Sequence, residues 1–234
     1  MLRMLFGEQP REWTGLSLET VQAIERFSLL SSKIADRSAE QSSGHHTFSI
    51  WAKGLLRSMD ELEQSCYAAK RYADQVHHNL IEELTSEELL SYNRHVYYDK
   101  NAYIRAFALL DKLGTLLNQL LNLQTERIKA RFSYFTVLRN MRENKLHVEL
   151  MKPLNELKER HQNVFSRLRN RRNLEIHQMN AELKDDLNQS IANDGSPRTL
   201  ENLSVNMSDL DRCWEMVHGT LNLSFRYACK QLQR

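Results

Sequence analysis

Residues 47–83 read TFSIWAKGLLRSMDELEQSCYAAKRYADQVHHNLIEE, and their apolar side chains recur with a helical period. Two series each recur every seven residues: Phe48, Leu55, Leu62, Ala69 and Val76, and then Ala52, Met59, Cys66, Ala73 and Leu80. Two adjacent lines of this kind form the apolar stripe of a helix that packs in a bundle. The sequence therefore predicts one long helix over residues 47–83.

The composition of the whole chain favours the same fold class. Only 7 glycines and 3 prolines occur in 234 residues, which leaves few turn signals and favours a few long helices. Helical periodicity outside residues 47–83 predicts further helices over about 17–38, 85–122, 125–152, 153–191 and 198–234, with an uncertain break at 96–101 and a turn at 193–197. We therefore expect an all-α, up-and-down bundle of about six helices. Residues 1–16 would form an irregular lead-in, and residues 17–234 a single domain.

Cysteines and hydropathy bear on the cellular compartment. Cys66, Cys213 and Cys229 are odd in number and lie far apart, which predicts buried free thiols in a reducing cytoplasm. No apolar run approaches the ~20 residues that span a bilayer, so no membrane partner is expected. The net charge of +2 gives no strong general attraction to nucleic acid.

One short stretch carries chemistry, namely Arg172-Asn173-Leu174-Glu175-Ile176-His177. On a helix, Asn173 and His177 lie one turn apart on the same face, and the long side chain of Arg172 can swing toward that face. An imidazole can accept a proton from a 2′-OH or donate one to a leaving oxygen, while a guanidinium can hold the phosphate. These groups suit RNA cleavage without a metal.

The stretch resembles the signature of the HEPN superfamily, in which four to six residues separate an arginine from a histidine and a small polar residue often follows the arginine. Residues 98–114 also resemble a helix of stand-alone HEPN proteins, and the resemblance extends over about residues 50–230. It implies an α-helical bundle, a motif near the start of a late core helix, and two protomers that face each other across a shared cleft.

The resemblance further implies what the protein does. The family includes metal-independent endoribonucleases of toxin–antitoxin systems, and it also includes catalytically silent members. We expect His177 to act as general acid or base, Arg172 to bind the scissile phosphate, and Asn173 to orient them. A run without acidic residues precedes the motif and would guide the RNA backbone through Arg167, Arg169 and Arg171. The implied partners are RNA, a second copy of the chain and an antitoxin-type protein, with no metal or other cofactor.

Other interpretations remain open. Arg142 and His147 have the same spacing as the motif, but Glu143 follows the arginine and would repel phosphate. The bundle could instead be a non-catalytic module that binds RNA or protein, with Arg172 and His177 structural at a dimer interface. Metal binding by a helical bundle is a third hypothesis, and the histidines behind it are His45, His46, His77, His78 and His218. Unpaired bases could also stack on a cluster of tyrosines, namely Tyr92, Tyr97, Tyr98 and Tyr103.

Overall fold

A computed structural model describes residues 2–37, 42–177 and 198–233. These residues contain eight α-helices and no β-strand. The helices are α1 (Leu2–Leu5), α2 (Gly15–Arg37), α3 (Ser42–Ala73), α4 (Ser86–Leu120), α5 (Tyr134–Glu143), α6 (Val148–Arg160), α7 (Gln162–His177) and α8 (Leu203–Leu232). The predicted all-α class is confirmed, with two more helices than expected.

The core lies around α4, which packs against α3, α5, α7 and α8. Five leucines on one broad face of α4 are fully or almost fully buried: Leu109, Leu110, Leu113, Leu116 and Leu117. Outside this centre, α2 closes the bundle by packing on α3 and α8, where the rings of Phe27 and Phe225 meet edge to face at 5.2 Å. Because four other helices pack against α4, it is a central helix of the bundle.

The long helix α3 is shifted relative to the expectation, since it ends at Ala73 rather than at residue 83. The chain turns because the carboxylate of Glu88 accepts hydrogen bonds from the backbone N–H of His77 (3.1 Å) and the ring of His78 (2.9 Å). Glu88 also completes a capping box with Thr85, which confirms the predicted helix start at residues 85–88. Hydrogen bonds from Thr85 and His78 lower the pKa of Glu88 to about 2. Beyond this start, α4 continues without the break considered at 96–101.

The helix predicted to open at Thr125 is replaced by one 3-10 turn, Thr125–Arg127, and α5 begins only at Tyr134. Left-handed backbone at Asn122 and Gln124 interrupts the helical path after α4, and the buried amide of Asn140 holds the loop through the carbonyl of Leu123 (3.0 Å).

The structure also differs from the prediction at the following helix boundaries. Left-handed backbone at His147 starts α6 there, so that Pro153 lies inside α6 rather than at its start. The helix predicted over 153–191 is divided at His161 into α6 and α7, and its remainder lies outside the described residues, as does the turn predicted at 193–197. The final helix begins at Leu203, capped by the side chain of Asn202, rather than near residue 198.

The lead-in is ordered against the bundle and includes α1, although it was expected to be irregular throughout. Arg3 and Arg11 both pair with the buried carboxylate of Glu63 on α3, the second at 2.9 Å. The ring of Trp13 stacks on that of Trp214 in α8 at 6.4 Å. These contacts anchor residues 2–14 to α3 and α8.

Gly114 allows α4 and α5 to approach closely, and the substitution Gly114→Ala tests this contact. A Cβ at this position would lie 2.9 Å from the Cα of Tyr134, the first residue of α5. Overpacking against backbone costs about 1–3 kcal/mol, offset in part by the roughly 1 kcal/mol that alanine gains over glycine in a helix. We expect a net loss of stability in urea unfolding. Gly54→Ala is the matched control, because only the Arg57 side chain lies within 4 Å and the substitution should stabilise. Equal stabilisation by both substitutions would contradict the contact.

Candidate active site

The helix α7 carries the motif, and its apolar face fixes it on the bundle. Phe165 is buried between α4 and α5, with its ring 5.6 Å from that of Phe107 and 6.0 Å from that of Phe135. Near the other end of α7, Glu175 pairs with Lys100 of α4 at 2.9 Å. The motif begins at Arg172, ten residues after the start of α7 at Gln162, whereas the resemblance implied a place near the start of a helix.

The guanidinium of Arg172 lies over an aromatic ring and is oriented by the next residue. Its Cζ is 5.0 Å from the ring centroid of Phe107, and its Nη2 donates a 2.9 Å hydrogen bond to Oδ1 of Asn173. Its Nε is buried without a hydrogen-bond partner among the described residues. Asn173 therefore orients Arg172, one of the two groups that it was expected to orient.

Arg172 borders an open pocket of about 280 Å³ between α4, α5 and α7. Four cationic residues and one acidic residue line the pocket together with polar and aromatic neighbours: Lys129, Arg139, Arg169, Arg172, Asp111, Ser133, Thr136, Phe107 and Phe135. Four positive charges against one negative charge make the pocket strongly attractive to an anion. We refer to it as the basic pocket.

Asp111 supports the wall of the basic pocket. Its carboxylate accepts a 2.9 Å hydrogen bond from the backbone N–H of Tyr134, at the N-terminus of α5. Burial raises the pKa of Asp111, while this hydrogen bond and the nearby Arg172 and Arg169 oppose the rise. Asp111 thus fixes the start of α5, the helix that carries Phe135 and Arg139 into the pocket.

The three arginines expected to guide RNA occupy different surroundings. Arg169 lines the basic pocket, with its Cζ 4.7 Å from the ring centroid of Phe135. Arg167 is half exposed and makes a bidentate pair with Asp209 of α8, at 2.9 and 2.5 Å. Arg171 points instead into the α4–α8 side, where it pairs with buried Asp99 and approaches Glu201 at 3.5 Å. The structure therefore brings Arg169 and Arg172 together and places Arg171 elsewhere.

His177 ends the described part of α7, and its side chain lies outside that part. It lies five positions after Arg172, a rise of about 7.5 Å along a helix. The backbone of α7 thus places Arg172 at the basic pocket and His177 farther along the same helix.

A comparison with protein-family models gives one match, the Cthe2314-like HEPN family, over residues 51–229. The match includes all of α4 to α7, most of α3 and α8, and therefore the whole basic pocket. The chain belongs to the HEPN family. Searches of curated proteins and of solved structures found no match. The HEPN fold points to a nucleotide-related or RNase-type role, and the predicted family is confirmed.

A second stretch of this HEPN chain, Arg142 to His147, repeats the spacing of the motif but has a structural environment. His147 adopts left-handed backbone at the start of α6 and hydrogen-bonds through Nδ1 to the hydroxyl of Tyr227 (2.8 Å) and through Nε2 to the carbonyl of Leu121 (3.3 Å). Both ring nitrogens are therefore engaged in holding α4, α6 and α8 together. Arg142 is exposed on α5.

Several residues that line the basic pocket of this HEPN chain were not predicted from the sequence. Lys129 and Arg139 come from a loop and from α5, which lie 43 and 33 residues before Arg172 in the chain. Nothing in the local sequence sets them apart from other exposed cations. Asp111 belongs to residues 98–114, the stretch that resembles HEPN proteins. This resemblance was the one sequence signal that could have pointed to Asp111 as part of the site.

The remaining candidate residues do not form a metal centre in the described part of the chain, where no three His, Cys, Asp or Glu side chains converge. His218 is buried beside Trp214 and hydrogen-bonds to Ser17 at 3.3 Å, and burial lowers its pKa to about 4. His45 and His46 lie inside α3, before the predicted start of that helix at residue 47, while His77 and His78 follow it. None of the helices described could cross a membrane.

Proposed function

We propose that this HEPN protein acts on RNA as a metal-independent endoribonuclease. The observation that carries the proposal is the position of Arg172 in an open pocket lined by three further cations, Lys129, Arg139 and Arg169. An RNA phosphate is the anion that such a pocket and the Arg172–His177 spacing suit best. Arg167, which is half exposed, would add to the positive electrostatic potential that attracts RNA. Arg171 would instead hold α7 on α4.

The chemistry of the proposal assigns one role to each group of the motif. Arg172 binds the scissile phosphate and stabilises the charge that develops on it, because a guanidinium donates parallel hydrogen bonds to two phosphate oxygens. Asn173 keeps the guanidinium oriented through the 2.9 Å hydrogen bond. His177 accepts the proton of the 2′-OH or donates one to the 5′ oxygen that leaves. The products would carry a cyclic phosphate and a 5′-OH.

The proposal extends to a homodimer. Leu174 and Ile176, within the motif, are 43% and 52% exposed, and apolar side chains at these positions would favour contact with a second copy. Pairing there would bring two motifs close to one cleft. Sedimentation velocity, which separates monomer from dimer, tests this extension. An antitoxin-type protein would bind the same surface and cover the motif. Co-expression of this chain with the product of a neighbouring gene, followed by co-purification, tests for such a partner.

One observation favours a second candidate function, a non-catalytic module that binds RNA or protein. Arg172 already has an aromatic ring and an amide as intramolecular partners, and Arg167 and Arg171 are paired with carboxylates. A motif of this kind can stabilise α7 without taking part in catalysis. The two functions differ in one respect, since only the nuclease requires the imidazole of His177.

Cleavage of a single-stranded RNA in excess chelator tests the proposed function. We expect the parent protein to cut and the His177→Ala variant to be at least about 100-fold slower, the usual loss on removal of a general acid or base. His147→Ala is the matched control, because it removes the imidazole of the second stretch; it should lower stability and leave the cleavage rate per folded molecule unchanged. Equal cleavage by parent and His177→Ala, or cleavage by neither, would remove the nuclease and favour the non-catalytic module.

A further inference from the structure

A second pocket of about 540 Å³ lies on the same seam between α4 and α7 as the basic pocket. Its lining residues on α4 include Asn93, Tyr97, Lys100 and Asn101, and α7 contributes Glu175. We refer to it as the tyrosine pocket. Arg172 and Glu175, which border the two pockets, are three residues apart, a rise of about 4.5 Å on a helix. The pockets therefore adjoin along one groove.

The α4 side of the groove is a single helix face. Tyr97, Lys100, Ile104, Phe107 and Asp111 follow one another at intervals of three or four residues, and each lines one of the two pockets. Tyr97 and Phe107 are ten residues apart, which corresponds to about 15 Å along the helix axis. A chain of a few nucleotides can cover that length.

The two pockets differ in charge, which suggests different ligand groups. The cation and the anion of the tyrosine pocket, Lys100 and Glu175, pair with each other at 2.9 Å and leave it close to neutral. The remaining polar groups include the amides of Asn93 and Asn101. A neutral pocket with amide groups suits a nucleobase, whereas the basic pocket suits a phosphate.

Tyr97 has the exposure that a stacking platform needs. It is 61% exposed, although large aromatic side chains are usually well covered in a folded chain. Its ring packs at 83° against that of Tyr98, with 5.1 Å between centroids, and Tyr98 in turn stacks on Tyr72 at 5.8 Å. Tyr97 is therefore held from one side and open on the other. The other tyrosines considered from the sequence, Tyr92 and Tyr103, are buried.

We propose that the groove binds single-stranded RNA, with a base near the scissile phosphate stacked on Tyr97 while that phosphate occupies the basic pocket. This inference rests on the proposed function and adds to it the form of the substrate. A base inside a duplex is already stacked on both faces and cannot lie against Tyr97, so the site selects unpaired RNA. The amide of Asn93 lines the same pocket and would contact the edge of that base, whereas Oδ1 of Asn101 already accepts hydrogen bonds from Ser65 and Arg105.

Binding of an eight-nucleotide single-stranded RNA, labelled for fluorescence anisotropy, tests the inference in the His177→Ala background, where we expect cleavage to be at least about 100-fold slower. We expect Tyr97→Ala to weaken binding about 5- to 150-fold, the range measured for loss of one base–aromatic stack. Tyr97→Phe keeps the ring and should retain the affinity. Leu29→Ala is the matched control, since Leu29 is 56% exposed on α2, outside the residues that line the groove.

A second readout reports stacking itself. The same RNA with 2-aminopurine at successive positions should be quenched on binding at one position, and Tyr97→Ala should remove that quenching. Unchanged affinity and unchanged quenching in Tyr97→Ala would overturn the tyrosine pocket as a base site, while loss of binding in Arg172→Ala would leave the proposed function in place. Tighter binding of a duplex of the same length would overturn the preference for unpaired RNA. Failure of the parent to bind either RNA would overturn both proposals.

Discussion

Replacement of Arg172 by alanine is expected to lower kcat for RNA cleavage by about 100- to 1,000-fold, the usual loss when one preorganised donor to the developing charge is removed. The guanidinium borders the basic pocket and is oriented by Asn173, so its geometry is set before the substrate binds. Single-turnover cleavage of an end-labelled RNA in chelator measures the effect. Arg172→Lys should recover only part of the rate, since an ammonium cannot make two parallel hydrogen bonds to phosphate.

The stretch from Arg142 to His147, which repeats the spacing of the motif, supplies the control for this experiment. Arg142 has the same spacing to a histidine as Arg172 and is exposed outside the basic pocket, so Arg142→Ala should leave the rate unchanged. Arg172 also packs over Phe107, and the fraction of folded protein must be measured for each variant by circular dichroism. A fully folded Arg172→Ala variant that cuts as fast as the parent would contradict the role of the basic pocket in catalysis.

Replacement of Arg171 by alanine is expected to cost about 3 kcal/mol of unfolding free energy at pH 8, the lower end of the range for breaking a buried ion pair. The substitution leaves Asp99, which is 1% exposed, without its cationic partner. Burial raises the pKa of Asp99, and Arg171 opposes that rise, so the pKa should climb further in the variant. The folded state then takes up a proton more readily than the unfolded state, and stability falls as pH increases. Urea unfolding at pH 5 and pH 8 measures this difference.

Two variants separate the stability effect from RNA binding. Asp99→Asn in the Arg171→Ala background removes the unpaired charge and should restore part of the stability at pH 8. Arg169→Ala should change stability by less than about 0.5 kcal/mol, because Arg169 is exposed, but should weaken RNA binding. Equal loss of stability in Arg169→Ala and Arg171→Ala would contradict this division of the neighbouring arginines.

The all-α class and the buried faces of the helices could be predicted from the local sequence pattern, but most helix boundaries could not. The stripe of residues 47–83 correctly indicated a packed helix, and Thr85-Ser86-Glu87-Glu88 correctly marked the start of α4. The end of α3 at Ala73 depends on Glu88, whose carboxylate binds the backbone of His77 from eleven residues away. The start of α5 depends on Asp111, whose carboxylate accepts a hydrogen bond from the backbone N–H of Tyr134, and the start of α6 follows left-handed backbone at His147. Such features arise from tertiary contacts that periodicity does not encode.

The candidate site shows the same division. Arg172 and Asn173 could be selected from the sequence, because their chemistry and spacing lie within one turn of helix. Lys129 and Arg139 could not, because α5 and the loop before it reach the pocket only after α5 docks on α4 through Gly114 and Asp111. The neighbours Arg169 and Arg171 looked equivalent in the sequence. They diverge because α7 turns one toward the pocket and the other toward Asp99.

The central claim is that a phosphodiester enters the basic pocket and meets both groups of the motif there. A crystal structure of the protein with a single-stranded RNA that carries 2′-O-methyl groups, and so resists cleavage, tests this most directly. We predict one phosphate within hydrogen-bond distance of the Arg172 guanidinium, with a ring nitrogen of His177 in reach of the adjacent 2′ or 5′ oxygen. RNA bound elsewhere on the bundle, or a His177 ring turned away from a phosphate that Arg172 holds, would contradict it.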